Sequence, residues 1–206
     1  MNYTQIIALA LSYSDRTDAE VSNRLDDFLR IVEARVNRVI KTMGMEVRTH
    51  TVTYGSSRYY ALPIDFEGMR NVEVKDTTLS NSKTILEYAT PEHLDKLSNV
   101  SGLSSIYYTV VANQIEITPI LPDGKILEFI YYRKLIPLTA TYPENWVSMN
   151  NPDVYVFGLL IEIAAFLKDP IAKQLWDERF KESLAEIQIN DSSRRWVGTA
   201  MKVRIG

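Results

Sequence analysis

The chain has 206 residues, of which 46% are hydrophobic and 24% charged, and it contains no cysteine. These values are typical of a globular protein, and the lack of cysteine excludes disulfides and thiolate zinc sites. The formal net charge is -3. The last sixteen residues hold four basic side chains and one acidic one, so the rest of the chain carries about -6. An acidic body argues against general nucleic-acid binding, which needs a concentrated basic face.

The amino-terminal residues show no basic stretch followed by a small-residue cleavage site, as a signal peptide would. The longest apolar run, Val154–Leu167, is interrupted by Glu162 and is shorter than the roughly 20 residues that cross a bilayer. We therefore expect a soluble, non-secreted protein without membrane partners.

Two helices are predicted at the amino-terminal end. Tyr3–Tyr13 places its apolar residues on one side, and a capping pattern at Thr17 precedes a second, longer helix. Apolar residues in that helix recur at spacings of three and four up to Met43. Gly44 stands where a left-handed C-terminal cap is expected.

The period then changes to two, which predicts strands. The predicted strands are Glu46–Tyr54, Arg58–Leu62, Met69–Val74, Thr84–Tyr88, Ile106–Ala112, Gln114–Pro119 and Lys125–Leu135. A short helix from Pro91 to about Leu97 lies among them. Three tyrosine pairs occur in these strands, and each pair should direct one ring inward and one outward. The outward rings suit an interface better than base stacking, because few basic residues lie nearby.

The carboxyl-terminal half predicts two further helices. Pro137–Met149 is read as an extended crossing, and Asn151-Pro152 as the start of a helix. That helix, Val154–Leu167, is apolar around almost its whole circumference, so either the rest of the chain or neighbouring subunits must cover it. Lys168-Asp169-Pro170 separates it from a last helix, Ile171–Ile189.

These elements predict an α+β fold. A bundle of about four helices is built from residues 1–45 and 145–190, and an antiparallel β-sheet of about five to seven strands is inserted at residues 46–144. Residues 191–206 form an extended tail for a partner. In that tail Met201, Val203 and Ile205 alternate with basic residues. This pattern favours strand addition to another protein's sheet, although chain ends are often disordered.

Residues for catalysis are hard to find. The two histidines, His50 and His93, have no neighbouring cluster of acidic side chains, and Asp65 and Glu67 point to opposite sides of an extended segment. A metal site needs three or four converging ligands, and acid–base catalysis needs carboxylates that share a pocket. We therefore expect no enzyme activity, no metal and no cofactor.

Several stretches resemble the head-to-tail adaptor proteins of tailed bacteriophages, and in particular the podovirus-type family. They cover about residues 3–190 in order: Val32–Arg38, Tyr60–Phe66, Glu128–Tyr132, Asn145–Trp146, Asn151–Gly158, Phe166–Asp169 and Trp176–Phe180. Val36 and Val156 stand where the family pattern has Ile and Leu, and both changes keep the apolar character.

The resemblance implies a structural protein of the virion neck, made in the host cytoplasm. It would form a homo-oligomeric ring of twelve copies, join the portal protein to a nozzle or hub protein of the tail, and extend the DNA channel. Genomic DNA would pass through without specific binding, which suits an acidic body. Another oligomeric virion protein, a nucleic-acid-binding module and an enzyme remain as alternatives.

Two sets of residues are predicted to carry these contacts. The portal-binding set is Arg194, Arg195, Trp196, Val197, Met201, Lys202, Val203, Arg204 and Ile205, with its basic side chains facing an acidic portal surface. The subunit-interface set is Arg35, Arg38, Trp146, Tyr155, Phe157 and Phe166.

Overall fold

A computed structural model describes residues 1–16, 18–55, 57–76, 82–100 and 102–196, without the side chains of Arg195 and Trp196. Within these residues the chain forms seven α-helices, a short 3-10 helix and eight strands in two sheets, so the predicted mixture of helix and sheet is confirmed. The contacts within the chain divide it into two compact units. One consists of Met1–Met45 with Leu135–Gly206, and the other of Glu46–Lys134.

The first unit is helical. The helices of the described residues are α1 (Tyr3–Ser14), α2 (Ala19–Ser22), α3 (Leu25–Val39), α4 (Pro91–Ser98), α5 (Trp146–Asn150), α6 (Pro152–Phe166) and α7 (Pro170–Trp196), and all but α4 belong to the helical unit. None of the helices in the described part of the chain is long and apolar enough to cross a membrane.

The long second helix of the prediction is two helices in the structure. Asp18, rather than the predicted Thr17, caps α2 by accepting a hydrogen bond from the backbone N–H of Val21 at 3.0 Å, and Thr17 itself lies outside the described residues. The helical conformation is interrupted between α2 and α3, and α3 ends at Val39. In the sequence, the apolar spacing typical of a helix continues past Val39. The reason is that Ile40 is also buried, although its backbone is extended.

Gly44 therefore has a different role from the predicted helix cap. It lies in the 3-10 helix Met43–Met45, where a Cβ atom would overlap the indole ring of Trp146. Glycine is needed here for the close approach of a side chain, and a left-handed backbone is not involved.

Helix α6 is the centre of the helical unit. It contacts α1, α3, α5 and α7, and residues around its whole circumference are buried: Val154, Tyr155, Val156, Gly158, Leu159, Leu160, Ile161, Ile163 and Ala164. Pro152 is at its first turn, as predicted. The helix is thus covered by its own chain, and neighbouring subunits are not needed to explain its composition.

Two polar side chains of α3 hold the segment that enters the unit at Leu135. The side-chain oxygen of Asn37 accepts a hydrogen bond from the N–H of Leu135 at 2.9 Å, and the carboxylate of Glu33 accepts one from the N–H of Leu138 at 2.6 Å. Glu33 is buried, and this burial raises its pKa above the ordinary glutamate value.

The second unit contains all eight strands: β1 (Glu46–Val52), β2 (Tyr59–Ala61), β3 (Phe66–Lys75), β4 (Lys83–Ile85), β5 (Glu87–Tyr88), β6 (Tyr107–Val111), β7 (Gln114–Thr118) and β8 (Ile126–Arg133). They form two four-stranded sheets in the orders β1-β8-β3-β4 and β2-β7-β6-β5. The prediction of one antiparallel sheet was wrong in two ways, because there are two sheets and β5 pairs with β6 in parallel. Strand periodicity does not reveal such partners: β1 pairs with β8 across more than 70 residues.

The sheets share one apolar core, to which the three tyrosine pairs contribute as predicted. Tyr60, Tyr108 and Tyr131 are buried in this core, and their neighbours Tyr59, Tyr107 and Tyr132 are exposed or half-buried. Each pair therefore divides between the two faces of its strand.

The last helix is longer than predicted. It runs from Pro170 to Trp196, so residues 191–196 are helical and the prediction of an extended tail was wrong for them. Phe180, Leu184 and Ile187 are buried, whereas Ile171 and Leu175 are exposed.

Candidate interaction surfaces

The six residues of the predicted subunit interface occupy several environments in the helical unit. Tyr155 is 0% exposed, and its hydroxyl accepts a hydrogen bond from the side-chain amide of Asn145 at 2.8 Å. Burial raises the pKa of Tyr155. Its side chain cannot reach another subunit, so its assignment to the interface was wrong.

Phe157 belongs to a stack of three aromatic rings. Its ring lies 5.9 Å from that of Trp176, and on α1 the ring of Tyr13 lies 6.2 Å from Trp176, with interplanar angles of 19° and 8°. The stack joins α1, α6 and α7, so the Phe157 ring packs against residues of its own helical unit. Tyr13 is the most exposed of the three rings, at 55%.

Phe166 and Trp146 also pack within the helical unit. The Phe166 ring lies 5.7 Å from that of Phe28, and the guanidinium of Arg24 lies 5.7 Å from its centre. Trp146 covers Gly44. Both are half-buried, so each supports the fold and keeps part of its surface exposed.

Arg35 and Arg38 line an open groove of about 740 Å³ between α3, α6 and α7, which we call the helical groove. Its apolar residues come from all three helices, and its charged residues from α3 and α7. The lining residues are Arg35, Arg38, Val39, Ile161, Pro170, Lys173, Gln174, Asp177, Phe180, Lys181 and Leu184. The sequence gives no sign that Lys173 and Arg38 line one groove, because the two residues lie on helices remote from each other in the chain.

The helical groove carries more positive than negative charge. Arg35 pairs with Glu162 at 2.7 Å, and Lys181 pairs with Asp177 at 2.6 Å. Arg38 donates from Nε to the backbone oxygen of Ala34. Within the described residues, no carboxylate pairs with Arg38 or Lys173. These two cations, one on α3 and one on α7, are available to an acidic partner.

The predicted portal-binding residues are only partly described. Arg194 is exposed on the last turns of α7, and it lines a small polar pocket of about 90 Å³ together with Trp146 and Asn190. The backbones of Arg195 and Trp196 are helical. Val197, Met201, Lys202, Val203, Arg204 and Ile205 lie outside the described residues.

The start of the predicted tail is bound to the helical unit. The carboxylate of Asp191 accepts a hydrogen bond from the backbone N–H of Met43 at 2.7 Å. The unit therefore extends beyond Asn190, and the segment that remains for strand addition begins after Trp196.

The outer face of the sheet β1-β8-β3-β4 carries alternating charges. Glu128 of β8 pairs with Lys75 of β3 and with Arg48 of β1, the latter at 3.2 Å. The hydrogen bond from Lys75 lowers the pKa of Glu128 despite its burial. Arg70 and Glu46 form a further pair at 3.0 Å. The carboxylates of this face are thus matched by cations of the same sheet.

The residues considered for chemistry do not converge. His50 and His93 are both exposed, Asp65 accepts a hydrogen bond from the hydroxyl of Tyr131 at 2.9 Å, and Glu67 pairs with Lys134 at 3.9 Å. In the part of the chain that the structure describes, no three histidine or acidic side chains lie close enough together to hold a metal ion.

The chain matches the family described as SU10 adaptor protein over residues 1–204, so it belongs to that family. A search of the curated proteins finds no match. The resemblance to phage adaptors is confirmed by this match, which includes both units; the narrower podovirus-type assignment is not. The family implies a structural component of the virion neck, in contact with portal and tail proteins, rather than an enzyme.

Proposed function

We propose that this adaptor forms a ring of twelve copies between the portal and the tail of a bacteriophage, and that the ring extends the channel through which DNA passes. The observation that carries the proposal is the family match over residues 1–204, which includes the helical unit, the sheet unit and nearly all of the carboxyl-terminal segment.

The distribution of charge supports a role as a channel. The chain without its last sixteen residues has a net charge of about -6, and a negative wall repels the phosphate backbone of DNA. DNA then slides past the adaptor without adhering to it. Specific contacts are reserved for the protein partners on either side.

Residues 197–206 are the proposed portal-docking segment. Met201, Val203 and Ile205 alternate with Lys202 and Arg204, a pattern that suits a strand added to the edge of a sheet in the portal. The two cations meet acidic portal groups. Because α7 continues to Trp196, the docking segment starts at the end of a helix.

Negative-stain electron microscopy of the purified protein, alone and with portal rings, tests the proposal. We expect twelve-fold rings in at least one of the two samples. A protein that stays monomeric in both and does not bind the portal would show that the proposed function is wrong.

A truncation tests the docking segment separately. A chain that ends at Trp196 keeps all of α7 and the bond between Asp191 and Met43, so it should fold normally. It should bind portal rings at least ten-fold more weakly than the full chain in a pull-down or sedimentation assay. Equal binding by the two chains would exclude residues 197–206 as the docking segment.

A further inference from the structure

We propose that the helical groove receives an acidic segment, residues 18–27, from the neighbouring copy of this chain. This inference rests on the proposed ring and specifies the contact that builds it. The segment comprises α2 and the first turn of α3, and it contains four acidic residues and one basic residue.

The helical groove has the properties of a docking site for such a segment. Val39, which is 45% exposed, and the exposed Pro170 supply apolar surface at its sides, and the largely buried Ile161, Phe180 and Leu184 form its floor. Arg38 and Lys173 lie on different walls and have no carboxylate partner among the described residues. An occupant with a few apolar atoms and at least two carboxylates would satisfy both features.

Other acidic and basic parts of the chain fit less well. The carboxyl-terminal segment is basic and would be repelled by Arg38 and Lys173. The carboxylates on the outer face of the first sheet, such as Glu128, are already paired with cations of that sheet. The segment 18–27 therefore has the better charge complementarity.

Two carboxylates of the acidic segment are available for a new partner. Glu20 and Asp27 are exposed, and no cation among the described residues pairs with either. Asp18 already caps α2 and lies 3.9 Å from Arg16, and Asp26 accepts a hydrogen bond from the hydroxyl of Tyr3. Two available carboxylates thus match the two available cations of the helical groove.

The contact has to join two copies. Asp27 and Arg38 both lie on α3 and are eleven residues apart, which is about 16 Å along the helix axis. A contact between two different surfaces of identical copies is heterologous, and it produces a ring when its rotation closes.

Helix dipoles explain part of the charge pattern but not all of it. Acidic residues in the first turn of α3 and Arg38 in its last turn are favourable for the isolated helix. The dipole of α3 does not account for Glu20, which lies in the first turn of the four-residue α2, and no dipole accounts for Lys173, a cation in the first turn of α7. These two residues extend the complementary surfaces beyond a single helix.

Charge reversal on the two surfaces tests the contact. The groove variant combines Arg38→Glu with Lys173→Glu, and the segment variant combines Glu20→Lys with Asp27→Lys. Each variant alone places like charges at every contact between copies. In an equal mixture, a reversed groove meets a reversed segment and a native groove meets a native segment, so alternating copies can assemble.

Ring formation is measured by sedimentation velocity and negative-stain microscopy at low salt, on portal rings if the native protein assembles only there. We expect at least a ten-fold loss of assembly for each variant alone and recovery of rings in the mixture. The control variant, Lys96→Glu with Lys134→Glu in the sheet unit, has the same change in charge as the groove variant and should assemble normally.

Circular dichroism checks that the variants are folded. If a reversal lowers the melting temperature, neutral substitutions (Arg38→Gln with Lys173→Gln, and Glu20→Gln with Asp27→Asn) replace it and should still weaken assembly. Rings from either reversed variant alone, or a mixture that fails to assemble, would overturn this contact and leave the ring itself intact. If the native protein forms no rings either alone or with portal rings, the proposed function itself is refuted.

Discussion

Helices α3 and α6 approach each other closely at Gly158, and this predicts how one methyl group added there changes the stability of the protein. Gly158 lies in the middle of α6, and a Cβ atom there would overlap one methyl of Val32 on α3, with the other methyl at 3.0 Å and the Phe180 ring at 3.3 Å. Gly158→Ala gains about 1 kcal/mol of helix propensity. Overpacking a close-packed core costs about 1–3 kcal/mol. Taken together, these two figures leave a net loss of between zero and about 2 kcal/mol.

Chemical denaturation, followed by circular dichroism, measures this change, and two further variants separate its causes. Ala165→Gly, at an exposed position in the last turn of the same helix, measures propensity alone and should cost no more than about 1 kcal/mol, the value for a helix interior. Val32→Ala removes the methyl groups that the new methyl of Gly158→Ala would meet, so the double variant should lose less stability than the sum of the two single changes. A Gly158→Ala protein more stable than the native one by about 1 kcal/mol would refute the close approach.

Substitutions at three other positions test interactions inside the units, each by denaturation with urea. The raised pKa of Glu33 means that the folded protein holds this proton more tightly than the unfolded chain, so stability falls as pH rises above about 4.5. Glu33→Gln should remove that fall and stay as stable as the native protein at neutral pH, whereas Glu33→Ala leaves the N–H of Leu138 unpaired and should cost about 1–3 kcal/mol. Trp176→Ala removes the central ring of the stack and should cost about 2–3 kcal/mol, less than for a fully buried ring, with a smaller loss for Trp176→Phe. Tyr131→Phe should cost about 1 kcal/mol, and because burial and the bond to Asp65 raise the pKa of Tyr131 to about 12, it should also remove a loss of stability between pH 10 and 12. Unchanged stability in Glu33→Ala, Trp176→Ala or Tyr131→Phe, or a fall above pH 4.5 that persists in Glu33→Gln, would contradict the interaction concerned.

Local signals in the sequence predicted local structure well. Pro152 begins α6 and the Lys168-Asp169-Pro170 break separates α6 from α7, because proline and left-handed residues restrict the backbone wherever they occur. The inward and outward tyrosines also followed from strand geometry alone. The confirmed adaptor resemblance came from several short stretches in order, none of which was specific by itself.

Features that depend on distant residues were not predictable from periodicity. The division of the strands into two sheets depends on the pairing of β1 and β3 with β8, and residue spacing does not indicate such partners. The residues of the helical groove are also remote in sequence, since Arg38 and Lys173 lie on α3 and α7. Val39 beside Arg38 gave no usable signal, because its helical spacing is that of a buried residue and its 45% exposure is visible only in the structure.

Because α6 is buried by its own chain, the proposed ring is not needed to cover the apolar surface of this helix. When a helix needs neighbouring subunits to cover it, folding depends on protomer concentration and a stable monomer is absent. Here α1, α3, α5 and α7 cover α6, so the helical unit has a complete core before any contact between copies. The contacts of a ring must then use exposed surface, where the helical groove and the acidic segment hold unpaired charge. A chain with a complete core of its own can fold before it assembles with other copies.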